Sequence, residues 1–252
     1  MPSAKFIKHS KISNGQYTVT INLRGISNSE KLQDLEGKLK QIFHDYGDDV
    51  RDVYKYDGTK LTYTSETLIP SKRCVNKKKV LIVFGNPAIH SIKNGMFFFS
   101  RAKNYRHGMW AKLEKANLIK RVRINDDDLL KARKKEAEER KKLILSGQAS
   151  EKYCLGLATF YSFPTPVKGR FRDVQGVEKL FRPILEDLII PFEIKRIKSY
   201  PFTEDAILIF VQESSKKAFK KNSKRKFIFW PVRGKNSSGE YLNIMLKKWK
   251  KK

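Results

Sequence analysis

Cysteine is nearly absent: the 252 residues hold two, Cys74 and Cys154, far apart in the chain. That count excludes a four-cysteine zinc or iron–sulfur centre and any disulfide framework, and it points to a reducing compartment. Histidine is scarce as well, four in all, with no paired ligand spacing. Neither a metal nor a cofactor is expected. Long apolar runs are missing too; Val80–Phe84 and Ala206–Val211 are strand-length, and the N-terminus lacks the apolar core of a signal peptide. The sequence predicts a soluble intracellular protein, in cytoplasm or nucleoid, with no membrane anchor or lipidation motif. Finally, acid is in short supply: 26 Asp and Glu face 54 Lys and Arg, a formal net charge of +28. Such a chain repels itself unless a polyanion is near, so nucleic acid leads as partner.

What is present suffices to fold. Hydrophobic residues make up 40% and aromatics 12%, enough apolar surface for one large or two small domains. Gln16–Leu23 alternates as a half-buried strand, and Glu30–Tyr46 carries Leu32, Leu35, Leu39, Ile42 and Phe43 at helical spacing. Val53–Tyr56 and Leu61–Tyr63 flank Asp57-Gly58, a hairpin signal. A basic polar stretch, Ser71–Lys79, follows, and the pattern predicts a boundary near Pro70. Residues 1–70 then form an N-terminal α+β extension, and 71–252 the main domain.

From there short apolar strands alternate with helices. Val80–Phe84, Leu155–Tyr161, Ala206–Val211 and Lys226–Trp230 read as buried parallel strands. Trp110–Leu118, Asp126–Leu145, Val177–Ile189, Ser214–Lys221 and Tyr241–Trp249 read as helices. This rhythm predicts an α/β fold, a short four-stranded parallel sheet with helices on both faces. Ligands of such sheets bind beyond the carboxyl ends of the strands. Asp126–Leu145 reads as a charged surface helix, its basic residues a second candidate for phosphate contact.

The first sheet strand runs into Phe84-Gly85-Asn86-Pro87-Ala88-Ile89-His90-Ser91. Gly95-Met96-Phe97-Phe98-Phe99 follows, and then Arg106-His107-Gly108-Met109-Trp110. Taken alone, strand-Gly-Asn-Pro is an ordinary turn. The ordered set of Asn86-Pro87, Gly95, Phe98 and Trp110 resembles the uracil-DNA glycosylase superfamily, most closely its mismatch-specific uracil and thymine glycosylase branch. Two departures stand out: Gly85 directly precedes Asn86 instead of standing one residue earlier, and the basic stretch before Trp110 is longer.

The resemblance covers roughly Lys78 to Lys250 and implies a three-layer αβα sandwich. It also implies a monofunctional glycosylase of base excision repair, a monomer without cofactor that flips a deaminated or mismatched base out of duplex or single-stranded DNA. Asn86 would hold the attacking water and His90 would stabilise the departing base. Phe98 would stack on that base, within a pocket formed with Gly85, Pro87 and Gly95. The expected second motif, His-Pro-Ser or Asn-Pro-Ser, is not intact. Either Trp230-Pro231 takes its place or Asn236-Ser237-Ser238-Gly239 supplies the polar tip that grips DNA, and the second is preferred. Phe97 and Phe99 are assigned to the core, since alternate residues of an extended segment point oppositely. Two other readings stay open: a weakly catalytic or non-catalytic member of the same fold, and a basic RNA-binding protein.

Overall fold

The computed structural model describes residues 6–26, 28–70, 74–99 and 107–249. Arg106, the start of the Ser71–Lys79 stretch and the last three lysines of the chain lie outside them. The chain forms two compact units, each assembled from separated segments.

The first unit comprises Met1–Thr67, Gly85–Gly95 and Thr159–Ile197. Its sheet is antiparallel, built from β1 (Ile7–His9), β2 (Gln16–Asn22), β3 (Tyr54–Tyr56) and β4 (Lys60–Glu66) in the order β1-β2-β4-β3. The alternation predicted for β2 is present: Tyr17, Val19 and Ile21 are buried and the residues between them are half-buried. The Asp57-Gly58 turn joins β3 to β4, and Asp57 Oδ1 accepts bonds from Thr59 N, Thr59 Oγ1 and Lys60 N. The helix Ser29–Tyr46 starts at Asn28, whose Oδ1 accepts from Lys31 N, and buries Leu35, Leu39 and Ile42. Leu32 and Phe43 are only half-buried.

A boundary near Pro70 does not describe this unit, because later segments share its interior. Glu193 Oε1 accepts from Ser162 N at 2.6 Å and Ser162 Oγ at 2.5 Å, and the same hydroxyl lies 2.9 Å from Tyr63 of β4. Arg196 bonds Glu193 Oε2 at 2.6 Å and donates to the carbonyls of Thr159 and Phe160. Gln16 Nε2 donates to Ile92 O at 2.8 Å. A buried ion pair is tolerated only when its remaining lone pairs and protons are matched, as here. The predicted helix Val177–Ile189 is interrupted: Asp173–Phe181 is α-helical, Arg182–Ile189 passes through a 3₁₀ and a π turn, and Ile190–Ser199 resumes. Pro183 lacks the N–H that a continuous helix needs.

The second unit, Leu68–Phe84, Met96–Ala158 and Lys198–Lys252, holds the parallel sheet. Its strands are β5 (Lys78–Phe84), β6 (Tyr153–Thr159), β7 (Ile207–Phe210) and β8 (Ile228–Phe229), in the order β6-β5-β7-β8. Val80 pairs with Ile207 and Ile209 with Ile228, both in parallel. The central residues are fully buried, as the continuous apolar runs require. Helices Gly108–Lys115, Leu129–Leu145, Glu213–Lys221 and Gly239–Lys248 flank this sheet, so the protein is mixed α/β with the layering of an αβα sandwich. The second strand in sequence lies on one side of the first and the third on the other. The order therefore reverses next to β5.

Two expectations are corrected. Cys74 and Cys154 are paired, their Cα atoms 5.8 Å apart, because β6 brings Cys154 beside the segment that leads into β5. The helix Leu129–Leu145 is not a solvated rod. Asp128 caps it, and Ala132, Arg133, Glu136 and Arg140 are buried on one face. Arg140 donates to Val122 O, pairs with Glu136 and lies over the Trp110 ring at 5.1 Å.

Among the described residues no helix is long and apolar enough to cross a membrane.

Candidate active site

Beyond Phe84 the chain leaves β5 and turns at Gly85-Asn86-Pro87, in the first unit. This turn is stitched to the loop that follows β6. Tyr161 N donates to Gly85 O (2.8 Å), Thr165 N to Pro87 O (3.0 Å) and Ile89 N to Thr165 O (3.1 Å). Two loops that begin at adjacent parallel strands are thereby locked edge to edge. Pro87 is buried, while Gly85 and Asn86 are half-buried.

The Asn86 amide is held on one side only. Its Nδ2 donates to Thr165 Oγ1 at 2.7 Å and to Pro87 O at 3.1 Å. A backbone carbonyl only accepts, so the second bond fixes which end of the amide is nitrogen. No described residue donates to Asn86 Oδ1, which leaves a half-buried acceptor at the carboxyl end of β5. Thr165 belongs to Pro164-Thr165-Pro166, which by the resemblance falls in a loop reaching the DNA, with no role toward Asn86 assigned to it. The Pro164-Thr165-Pro166 loop is conspicuous in the sequence, but only the register between the two loops shows which of its atoms meets the amide.

His90 lies in the short helix Ile89–Lys93, half-buried, with its backbone carbonyl accepting from Asn94 N and Nδ2. Gly95 ends this stretch at φ 62°, a left-handed conformation that suits glycine. Asn86, His90, Gly85, Pro87 and Gly95 thus fall together in one unit.

Phe98 belongs to the other unit, within a turn and not in an extended segment. Phe97 and Phe99 are buried and Phe98 is half-buried, as expected. The setting is different: Phe98 has φ 54°, an unfavourable conformation for a residue with a bulky side chain, and its ring stays in edge-on contact with that of Phe97 at 5.9 Å. The ring meets Phe84 edge-on at 4.7 Å, stacks on His107 at 4.8 Å and touches Trp110 at 5.8 Å. His107 starts the helix Gly108–Lys115, its Nδ1 accepting from Met109 N, and stacks on Phe98.

The second-motif candidates also lie in this unit. Pro231 is half-buried and Asn236 exposed, and Ser237 N donates to Gly234 O. Ser238 caps the helix Gly239–Lys248, its Oγ accepting from Tyr241 N and its carbonyl from Trp230 Nε1. A side chain at Gly239 would overlap the carbonyl oxygen of Lys112. Of the Asn236–Gly239 segment, Ser238 and Gly239 serve the fold, while Asn236 is exposed and Ser237 half-buried. No group of three or more His, Cys, Asp or Glu suited to a metal occurs among the described residues.

No protein-family model matches the chain, and no curated protein does.

Proposed function

We propose that the protein is a DNA N-glycosylase that hydrolyses the bond between deoxyribose and uracil, or another deaminated or mismatched base, leaving an abasic site. The observation that carries this reading is the one-sided anchoring of Asn86. Its amide nitrogen is engaged by Pro87 O and Thr165 Oγ1, and its oxygen is left to accept a proton of water at the carboxyl end of β5. An amide is no general base, so the bond to the base must break largely before water attacks. The electron pair of the glycosidic bond leaves with the base, water oxygen bonds the anomeric carbon of the oxocarbenium-like sugar, and the released proton passes to solvent. Charge collects on the departing base, where a donor such as His90 lowers the barrier. The resemblance gives Phe98 the stacking of the flipped base; its half-buried ring packs against Phe84, Phe97, His107 and Trp110. The +28 charge attracts the DNA.

A second reading has its own support. With Ser238 and Gly239 committed to capping and packing, the loop after β8 keeps little to stabilise a leaving base. The same fold would then bind flipped bases with weak or no chemistry. Single-turnover assays on end-labelled duplexes with uracil, hypoxanthine, xanthine or thymine opposite guanine, followed by alkali, separate the two. Excision that vanishes in Asn86→Ala supports the enzyme; tight binding without product from any base supports the binder.

A further inference from the structure

In the second unit, the starts of β5, β6 and β7 frame two adjoining cavities of about 500 Å³ each, which share Asn76 and Lys78. The first is completed by Lys77, Lys79, Asp205 and Trp249, the second by Lys152, Tyr153, Asn117, Asn243 and Lys247 together with Glu151. Two of the lysines are committed elsewhere. Lys77 Nζ donates to the carbonyls of Gly147 (3.0 Å) and Ser150 (2.7 Å), and Lys79 pairs with Asp205 at 2.8 Å. Lys78, Lys152 and Lys247 form no ion pair among the described residues. Trp249 is half-buried, packed on the core beside the first cavity.

We propose that this cleft binds single-stranded nucleic acid, independently of the chemistry at Asn86. Uncommitted ammonium groups along a concave path match successive phosphates, and an indole at its end gives one base a stacking surface. The amides of Asn117 and Asn243 provide both donors and acceptors for a base edge. A concavity of this volume admits a nucleotide at a time and not a duplex, whose stacked pairs present no free base face. Sequence preference is accordingly expected to be weak, because every base has a π-face.

The test measures anisotropy of a fluorescein-labelled dT12 with the full chain across a salt series. A triple variant, Lys78→Ala, Lys152→Ala and Lys247→Ala, should flatten the salt dependence by about 2 in log–log slope, given a slope near −0.7 for each phosphate neutralised on a single strand. An equal charge loss at the exposed Lys131, Lys134 and Lys142 of the helix Leu129–Leu145 should change the slope far less. Trp249→Ala should weaken binding about tenfold with the slope kept, and Trp249→Phe should restore most of it. Equal slopes for the two lysine triples would overturn the proposal, since net charge alone would then explain binding. A blunt duplex that loses as much affinity as dT12 in the cleft triple would overturn it also. The lysine substitutions are on the surface, so the slope comparison decides even where Trp249→Ala is unstable.

Discussion

Asn86 Nδ2 lies 2.7 Å from Thr165 Oγ1, across 79 residues of sequence. This bond turns a flexible side-chain amide into an acceptor of fixed direction, and it gives Thr165 a positioning role. Thr165→Val deletes the acceptor while keeping the shape. A typical hydrogen bond contributes roughly 0.5–1.5 kcal/mol, so single-turnover excision is expected to slow by about three- to tenfold. DNA affinity should stay within about twofold, and Thr165→Ser should recover most of the rate. A loss of affinity equal to the loss of rate would make Thr165 a scaffold residue only.

At Phe98 ring and backbone make separable contributions. Removing the ring, by Ala or by Gly, is expected to slow excision by ten- to a hundredfold, since base–aromatic stacking contributes about 1–3 kcal/mol. The φ of 54° is easier for Gly than for Ala by about 1 kcal/mol. Phe98→Gly should therefore melt a few degrees above Phe98→Ala in calorimetry. Identical melting temperatures would mean that the turn relaxes once the ring is gone.

Much of this architecture is legible in the sequence. Continuous runs such as Val80–Phe84 announce buried strands, and the alternation of Tyr17, Val19 and Ile21 announces a half-buried one, because burial on two faces or one dictates those patterns. Asp57-Gly58 specifies its turn through local hydrogen bonds. Interactions between distant segments leave no such trace. Nothing in Cys74 or Cys154 reports that β6 and the segment leading into β5 bring them together, and nothing near Asn86 names Thr165. Arg140 has the composition of a surface residue and lies buried, because Glu136 one turn earlier and the Trp110 ring compensate its charge. Phe98 is less buried than Phe97 and Phe99, but the strand alternation behind that expectation does not apply, because Phe97 and Phe98 lie in a turn and their rings touch.

Two glycines on helices should respond oppositely to the same change. At Gly37, inside the helix Ser29–Tyr46, an added methyl meets nothing within 4 Å, so Gly37→Ala is expected to stabilise by about 0.5–1 kcal/mol. At Gly239 the methyl would collide with the Lys112 carbonyl and the backbone of Ala116, and Gly239→Ala is expected to destabilise by about 1–3 kcal/mol. Chemical denaturation of both variants tests the pair. A neutral Gly239→Ala would show that the two helices part easily.

Acid should loosen the β3–β4 hairpin through Asp57. Backbone and side-chain bonds from Thr59, with Lys60, hold its carboxyl below the usual carboxylate range. Because the folded pKa is the lower one, the associated stability is fully present above the ordinary aspartate value and is lost as pH falls through the folded value. Asp57→Asn retains an acceptor for the turn and removes the titration. The wild type is therefore expected to lose more stability than Asp57→Asn between pH 5 and about pH 2, measured by thermal melts. Parallel acid limbs would assign the pH dependence to other carboxylates.

The interleaved segments of the first unit also set a schedule for protein synthesis. Its antiparallel sheet is complete by Thr67, yet Ser162, Glu193 and Arg196 close its polar interior, and the last of them follows about 130 residues later. At roughly 5–20 residues per second that is an interval of about 7 to 26 seconds. For that time the nascent sheet must keep Tyr63 and its neighbours without the partners that will cover them. Asn86 emerges early in the interval, but Thr165 follows only toward its end. The site is therefore among the last features of this unit that a ribosome can deliver.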